Sequence, residues 1–228
     1  MYIPKHFEMA DVRKMIAFIK EHSFGILFSQ HDGEPFATHL PFIVKTDENG
    51  DYYLFSHFAK ANPHWKSIKD QVLVVFQGPH SYISAGWYGE ENTVSTWNYI
   101  AVHVYGDLIF VDNEQELAKL LEDTIDYFES SFENPWKTDL SNDDNRRLMR
   151  GIVGFKIRIH RMEGKWKLSQ NHSEARRQKV IAELRKTNHG FSHQIADLME
   201  QDLSRGKQPS RELRKMIALK ALAAVIAV

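Results

Sequence analysis

The chain contains no cysteine among its 228 residues. Disulfides, thiolate metal sites and a cysteine nucleophile are thereby excluded. No apolar run approaches the roughly 20 residues of a membrane span; the apolar end ALAAVIAV, preceded by Lys220, falls far short and reads as a packed or dimer-forming helix. No GxGxxG or GxxxxGK[ST] loop is present, so Rossmann or P-loop nucleotide binding has no support. There is no GxSxG elbow. Twelve histidines invite a metal reading, but no HExxH occurs, and His189 and His193, spaced i and i+4, stand in a weak helical context. No metal site is expected. The segment MYIPKHFEMADVRK lacks a signal-peptide core, which makes the cytoplasm the expected compartment.

Net charge is nearly absent, at −1, but its distribution is not even. Residues 1–145 carry 10 Lys and Arg against 23 Asp and Glu, whereas residues 146–228 carry 19 against 7. A basic C-terminal part beside an acidic body fits nucleic-acid contact. The plainer reading is self-complementarity, within one fold or across a dimer. A hydrophobic content of 43% is ordinary for a soluble globular chain.

Periodicity supplies the elements. Val12, Met15, Ile16 and Ile19 fall at i, i+3, i+4 and i+7, predicting a helix over Met9–His22. Phe24–Gln30, Phe36–Val44, Tyr52–Ser56, Val72–Gln77 and Tyr99–Val111 read as strands, with turns at Asp32-Gly33 and at Asp47-Glu48-Asn49-Gly50. Asn62 as a cap with Pro63 at the first helical position predicts a short helix over Pro63–Lys69. Leu117, Leu120, Leu121, Ile125 and Phe128 place a helix over Glu114–Phe132. Ile152–His160 alternates, and Glu163-Gly164 reads as a tight turn into Lys165–Leu168. From Ser173 the pattern is helical: Ser173–Lys186, Ser192–Leu203 and Ser210–Val228. The expected fold is therefore mainly β with flanking helices, an α+β arrangement in which about six antiparallel strands close a small barrel. Residues 1–172 form that domain and 173–228 a helical C-terminal extension.

Four segments could carry chemistry. In PFATHLPF, Thr38 and His39 interrupt an apolar strand; a satisfied core histidine is the plainer reading. In LFSHFAKANPHW, Ser56, His57 and Lys60 leave a strand end beside a helix capped by Asn62, a set suited to a phosphate or to an ordinary polar turn. Gly78–Gly106 gathers Trp87, Trp97, Tyr82, Tyr88, Tyr99 and Tyr105 with His80, Thr96, Asn98 and His103. Aromatic faces beside small polar donors suit a flat ligand, and they also fill cores. In KWKLSQN, two lysines flank Trp166 on a strand ending in three polar residues.

Taken in order, PFATHLPF, HFAKANPHW, FQGPHSYIS–WY, TWNY–VHVYG and KWKLSQN resemble the PaiB-like, FMN-binding split-barrel family, often labelled negative transcriptional regulators. The resemblance runs from Met1 to about Leu184. Ala85 and Ser95 stand where prolines are usual, Ser56 where a glycine is, and Lys60 where an arginine is. The resemblance implies a six-stranded antiparallel split β-barrel that forms a homodimer with FMN at its interface. By the looser similarity to pyridoxamine-phosphate oxidases and flavin reductases, it implies that Thr38, His39 and Leu40 line the ring edge. Ser56, His57 and Lys60, with Asn62, meet the phosphate and ribityl chain. Thr96, Trp97 and Asn98 approach from the neighbouring strand or subunit, and Lys167, Gln170 and Asn171 close the pocket. Two functions follow as expectations: a PaiB-like transcriptional regulator contacting DNA through its basic C-terminal part, or an FMN-dependent oxidoreductase of the flavin-reductase or pyridoxamine-phosphate-oxidase kind. For the first, the helices of Ser173–Leu203 around His189-Gly190 are loosely helix-turn-helix in spacing.

Overall fold

The computed structural model describes residues 1–31, 33–69 and 71–207. The helix expected over Ser210–Val228, and Asp32 of the first turn, lie outside them. The chain divides into two units: residues 1–78 with 100–166, and residues 79–99 with those from 167 onward.

Strands dominate the first unit. They are β1 (Glu8–Met9), β2 (Phe24–His31), β3 (Glu34–Pro41), β4 (Ile43–Thr46), β5 (Tyr52–Ala59), β6 (Gln71–Ile83), β7 (Thr96–Phe110) and β8 (Ile152–Lys167). Their hydrogen-bonded order is β3-β2-β6-β7-β8-β5-β4, with β1 added on β8. The pairs β2–β3, β2–β6, β4–β5, β5–β8 and β1–β8 are antiparallel. β6, β7 and β8 contribute residues to both units. The expected sheet with flanking helices is thus present, but with eight strands among the described residues rather than six, and its hydrogen-bonded path does not close.

The extra strands have identifiable causes. Phe36–Val44 was expected as one strand, but Phe42 divides it. Its ring is buried, edge-on to Phe76 at 5.5 Å and to Phe155 at 6.3 Å, and its N–H donates to Ser23 O. Pairing therefore passes from β2, on β3, to β5, on β4, within one bent stretch of chain. The two ends of the sheet path are consecutive in sequence. β1 is the other addition, and it replaces the hairpin expected at Glu163-Gly164. β8 runs straight through that position, where Gly164 pairs with Met9.

Helices α1 (Val12–Glu21), α2 (His64–Ser67), α3 (Glu114–Glu129) and α4 (Asp143–Met149) belong to the first unit. Asp11 caps α1 by accepting from Arg13 N and Lys14 N, and Met15, Ile16, Phe18 and Ile19 form its buried stripe, as the periodicity requires. α4 was not foreseen: its seven residues carry only two apolar side chains, Leu148 and Met149. The first unit's core is Leu27, Leu54, Phe58, Phe76, Val102, Val104, Phe155 and Ile157, with Phe58 stacked on Phe155 at 4.7 Å.

In the second unit, α5 (Glu174–Lys186) and α6 (Ser192–Lys207) pack through Val180, Ile181, Leu184, Ile195, Ala196 and Met199. Gly190, at φ 52, makes the turn between them. Arg177 pairs with Asp202 at 2.7 Å, and Arg185 with Asp197 and Glu200. Within the units, basic residues after 145 also meet acidic ones before it: Arg146–Glu114, Lys156–Glu116, Arg158–Asp51 and Arg176–Glu90. The charge asymmetry of the sequence is in part satisfied within one chain. No helix of the described residues is long and apolar enough to cross a membrane.

Candidate functional site

The expected site residues fall into two groups, one in each unit. In the first unit, β3 alternates so that Thr38 is half-buried, Leu40 is in the core, and His39 is exposed and stacked on exposed Phe24 at 6.2 Å. On β5 the same alternation buries Ser56, whose hydroxyl donates to Pro41 O at 2.7 Å. That bond commits the Ser56 proton to the backbone. His57 points to the other face, half-buried, opposite Gly154 of β8. Its Nδ1 is buried and has no hydrogen-bond partner among the described residues. Burial lowers its pKa from the usual imidazole value, so the ring is neutral at pH 7. Lys60 follows on the exposed turn, its N–H donating to Gly151 O and its carbonyl accepting from Trp65 Nε1.

Asn62 makes the cap bond expected of it: its Oδ1 accepts from His64 N, two residues on, at 3.0 Å, and Pro63 between them already has the helical φ of −69 and ψ of −17. Its Nδ2 donates to Thr38 Oγ1 at 3.2 Å. The helix it opens is a single turn of four residues. A one-turn helix presents little aligned dipole, so any phosphate affinity here rests on side chains.

His64 was not among the expected site residues. It is fully buried, with Nδ1 2.7 Å from Thr38 Oγ1 and Nε2 2.7 Å from Ser29 Oγ. Its position in the same NPHW run as Asn62 was visible; its partners on two other strands, 26 and 35 residues away, were not.

In the second unit, Lys167 Nζ donates to Thr96 Oγ1 and to Trp97 O, each at 2.5 Å. Trp97 remains exposed and lies edge-on to Tyr82 at 5.9 Å. Asn98 is fully buried; its amide and the Ser169 hydroxyl bond to each other at 3.0 and 3.2 Å. Ser169 takes a left-handed φ of 62°, and Gln170 Oε1 accepts from Leu168 N at 2.7 Å. Asn171 is exposed. Behind this corner, Tyr88 is buried under Arg176, whose guanidinium lies 4.6 Å from the ring centroid. Burial first, then Arg176 and Lys167, lowers the pKa of His172.

Structure thus joins Thr38 to Asn62 in one network, and Thr96 and Trp97 to Lys167 in another. Two open grooves in the first unit lie elsewhere: one of 430 Å³ between Met9, Met15, Tyr52 and Met162, one of 570 Å³ between Glu114, Ala118, Leu140 and Met149. None of the expected site residues lines either.

Comparison with known proteins adds a family, two relatives and two structural neighbours. Residues 1–161 match the family model described as a putative FMN-binding domain. The chain is 41% identical over 209 residues to the Bacillus subtilis protein named protease synthase and sporulation protein PAI 2, covering 90% of this chain and 99% of that one. An uncharacterised Saccharomyces cerevisiae protein is 33% identical over 151 residues, covering 55% of this chain and 89% of its own. Among solved structures, the flavocytochrome Anf3 of Azotobacter vinelandii aligns with a TM-score of 0.56 at 13% identity, over 72% of each chain. The FAD and haem binding protein of Mycobacterium smegmatis aligns with a TM-score of 0.52 at 13% identity, over 70% of this chain and 73% of that one. These structural likenesses concern the fold.

Proposed function

Since this chain belongs to the PaiB-like family that carries the FMN-binding domain, we propose that it binds FMN as a homodimeric split barrel of residues 1–172 and acts as a transcriptional regulator through its basic C-terminal part, residues 173–228. The observation that carries the flavin reading is His57. A buried imidazole nitrogen without a partner is costly unless a ligand completes it. Three residues on, exposed Lys60 offers a cation at the same strand end.

The residues present fit the cofactor. Lys60 holds the phosphate by charge, and His57, neutral at pH 7, donates to or accepts from the phosphate or ribityl chain. Thr38 and His39 meet the ring edge, with Leu40, Ser56 and Asn62 fixing the strand and turn that carry them. In the second unit, Trp97, exposed beside Thr96 and Lys167, offers an aromatic face of the kind a flat ring takes. When bound, FMN supplies reversible one- and two-electron chemistry that no side chain of this chain provides.

The test is a fluorescence titration of free FMN. Saturable quenching at micromolar protein is expected, and its absence would remove the flavin reading. A gel shift with a salt titration tests regulation; equal binding to operator and random DNA counts against it.

His57 also favours a second reading, an FMN-dependent oxidoreductase. A neutral half-buried imidazole can take or return a proton as a bound flavin is reduced and reoxidised. Anaerobic mixing of FMN-loaded protein with NADH or NADPH bleaches the flavin if this holds; no bleaching with either donor sinks it.

A further inference from the structure

The network around His64 determines what the Thr38 hydroxyl can offer. The backbone N–H of His64 only donates, so the Asn62 atom that receives it is the amide oxygen. The atom facing Thr38 is therefore the Asn62 nitrogen, which donates to Thr38 Oγ1 at 3.2 Å. One proton and one lone pair then remain on that hydroxyl. His64 Nδ1, 2.7 Å away, engages one of them. If Nδ1 carries a proton it donates, and the Thr38 O–H is left to donate outward. If Nδ1 is bare, Thr38 donates to it and only a lone pair is left. Ser29, 2.7 Å from Nε2, completes the ring's second nitrogen, and the Phe36 and Phe58 rings at 4.6 and 5.7 Å pack beside the imidazole.

We propose that His64 is a positioning residue that sets the hydrogen-bonding polarity of Thr38 toward the flavin ring edge, with Ser29 holding the imidazole. This rests on the FMN reading of the site, and within it assigns a role to a residue that touches no ligand itself. His64 acts only through Thr38, so its effect on FMN disappears when the Thr38 hydroxyl is gone.

A double-mutant cycle on FMN binding tests this, with Thr38→Val, His64→Phe and the pair, each checked for folding by circular dichroism. Each single change is expected to weaken FMN about tenfold, the loss of one hydrogen bond. The double variant is expected to be no weaker than Thr38→Val alone. The reduction potential of the bound flavin is expected to move in the same direction in both single variants, and no further in the double. Thr38→Ser, which restores the hydroxyl, is expected to restore both affinity and potential. If His64→Phe fails to fold, His64→Leu takes its place in the cycle. A further tenfold loss from the His64 change in the Thr38→Val background overturns the proposal, as does full affinity in the single His64 variant. Failure of the unsubstituted protein to bind FMN overturns the flavin reading itself, and is thereby distinct from a cycle whose losses multiply.

Discussion

Gly164 stands opposite Met9 in the pairing of β8 with β1, and a Cβ built on it would lie 2.8 Å from Met15 Sδ and 2.9 Å from Met9 O. The glycine lets β1 and α1 close onto β8. Gly164→Ala is therefore expected to cost about 1–3 kcal/mol, the usual penalty for overpacking a core. Urea unfolding monitored by circular dichroism reads it. Gly86→Ala, whose Cβ meets nothing nearer than Ser84 Oγ at 3.6 Å, is expected to stay within about 0.5 kcal/mol of the parent.

That glycine also marks where sequence pattern stops informing. Glu163-Gly164 has the chemistry of a hairpin turn, and nothing local distinguishes a turn glycine from one required by a neighbouring helix. α1 and α3 were legible because their apolar stripes repeat at helical spacing, whereas their caps, Asp11 and Asn113, emerged only in the structure. Phe42 was not legible as a strand breaker, since its displacement comes from Phe76 and Phe155, distant in the chain. In the site, the pair of Thr38 with Asn62 lay within residues already singled out, but the commitment of Ser56 to Pro41 O and the role of His64 are tertiary facts.

Acid should destabilise the fold. The pKa values of His22, His57, His103 and His172 are all lowered, in each case chiefly by burial. In the unfolded chain these rings titrate near 6.5. As pH falls below that value the unfolded state takes up protons that the native state does not. Their contribution is therefore fully present above about 6.5 and is lost as pH drops toward the depressed native values. The thermal midpoint is expected to hold from pH 7.5 to about 6.5 and then to decline toward pH 5.0, less steeply in His57→Gln. A midpoint independent of pH over that range would contradict the assignment.

Asn98 holds the corner of the second unit together. Its amide bonds the Ser169 hydroxyl, and its Nδ2 lies 3.4 Å from Met199 Sδ. Removing it leaves a buried serine hydroxyl, at a residue held in left-handed conformation, without its partner. Asn98→Ala is expected to lower stability by about 1–3 kcal/mol. Because Ser169 begins the Gln170-Asn171 turn, the same variant is expected to raise amide hydrogen exchange from 168 to 171. Unchanged exchange there would show that the bond does not organise the turn.

The phosphate assignment divides sharply between two ligands that share a ring. Lys60 and His57 are placed against the phosphate end of FMN, which riboflavin lacks. Lys60 is exposed and its side chain holds no ion pair among those described, so its removal disturbs little of the fold. Lys60→Ala is expected to weaken FMN about tenfold, the value of one charge-assisted contact, and to leave riboflavin affinity unchanged. His57→Ala added to it is expected to weaken FMN further, and riboflavin only if the imidazole also reaches the ribityl chain. Fluorescence titrations of both flavins against the parent and the two variants measure each ratio. Equal losses for FMN and riboflavin would move the phosphate away from this strand end, and an increase in FMN affinity on removing Lys60 would exclude it there altogether.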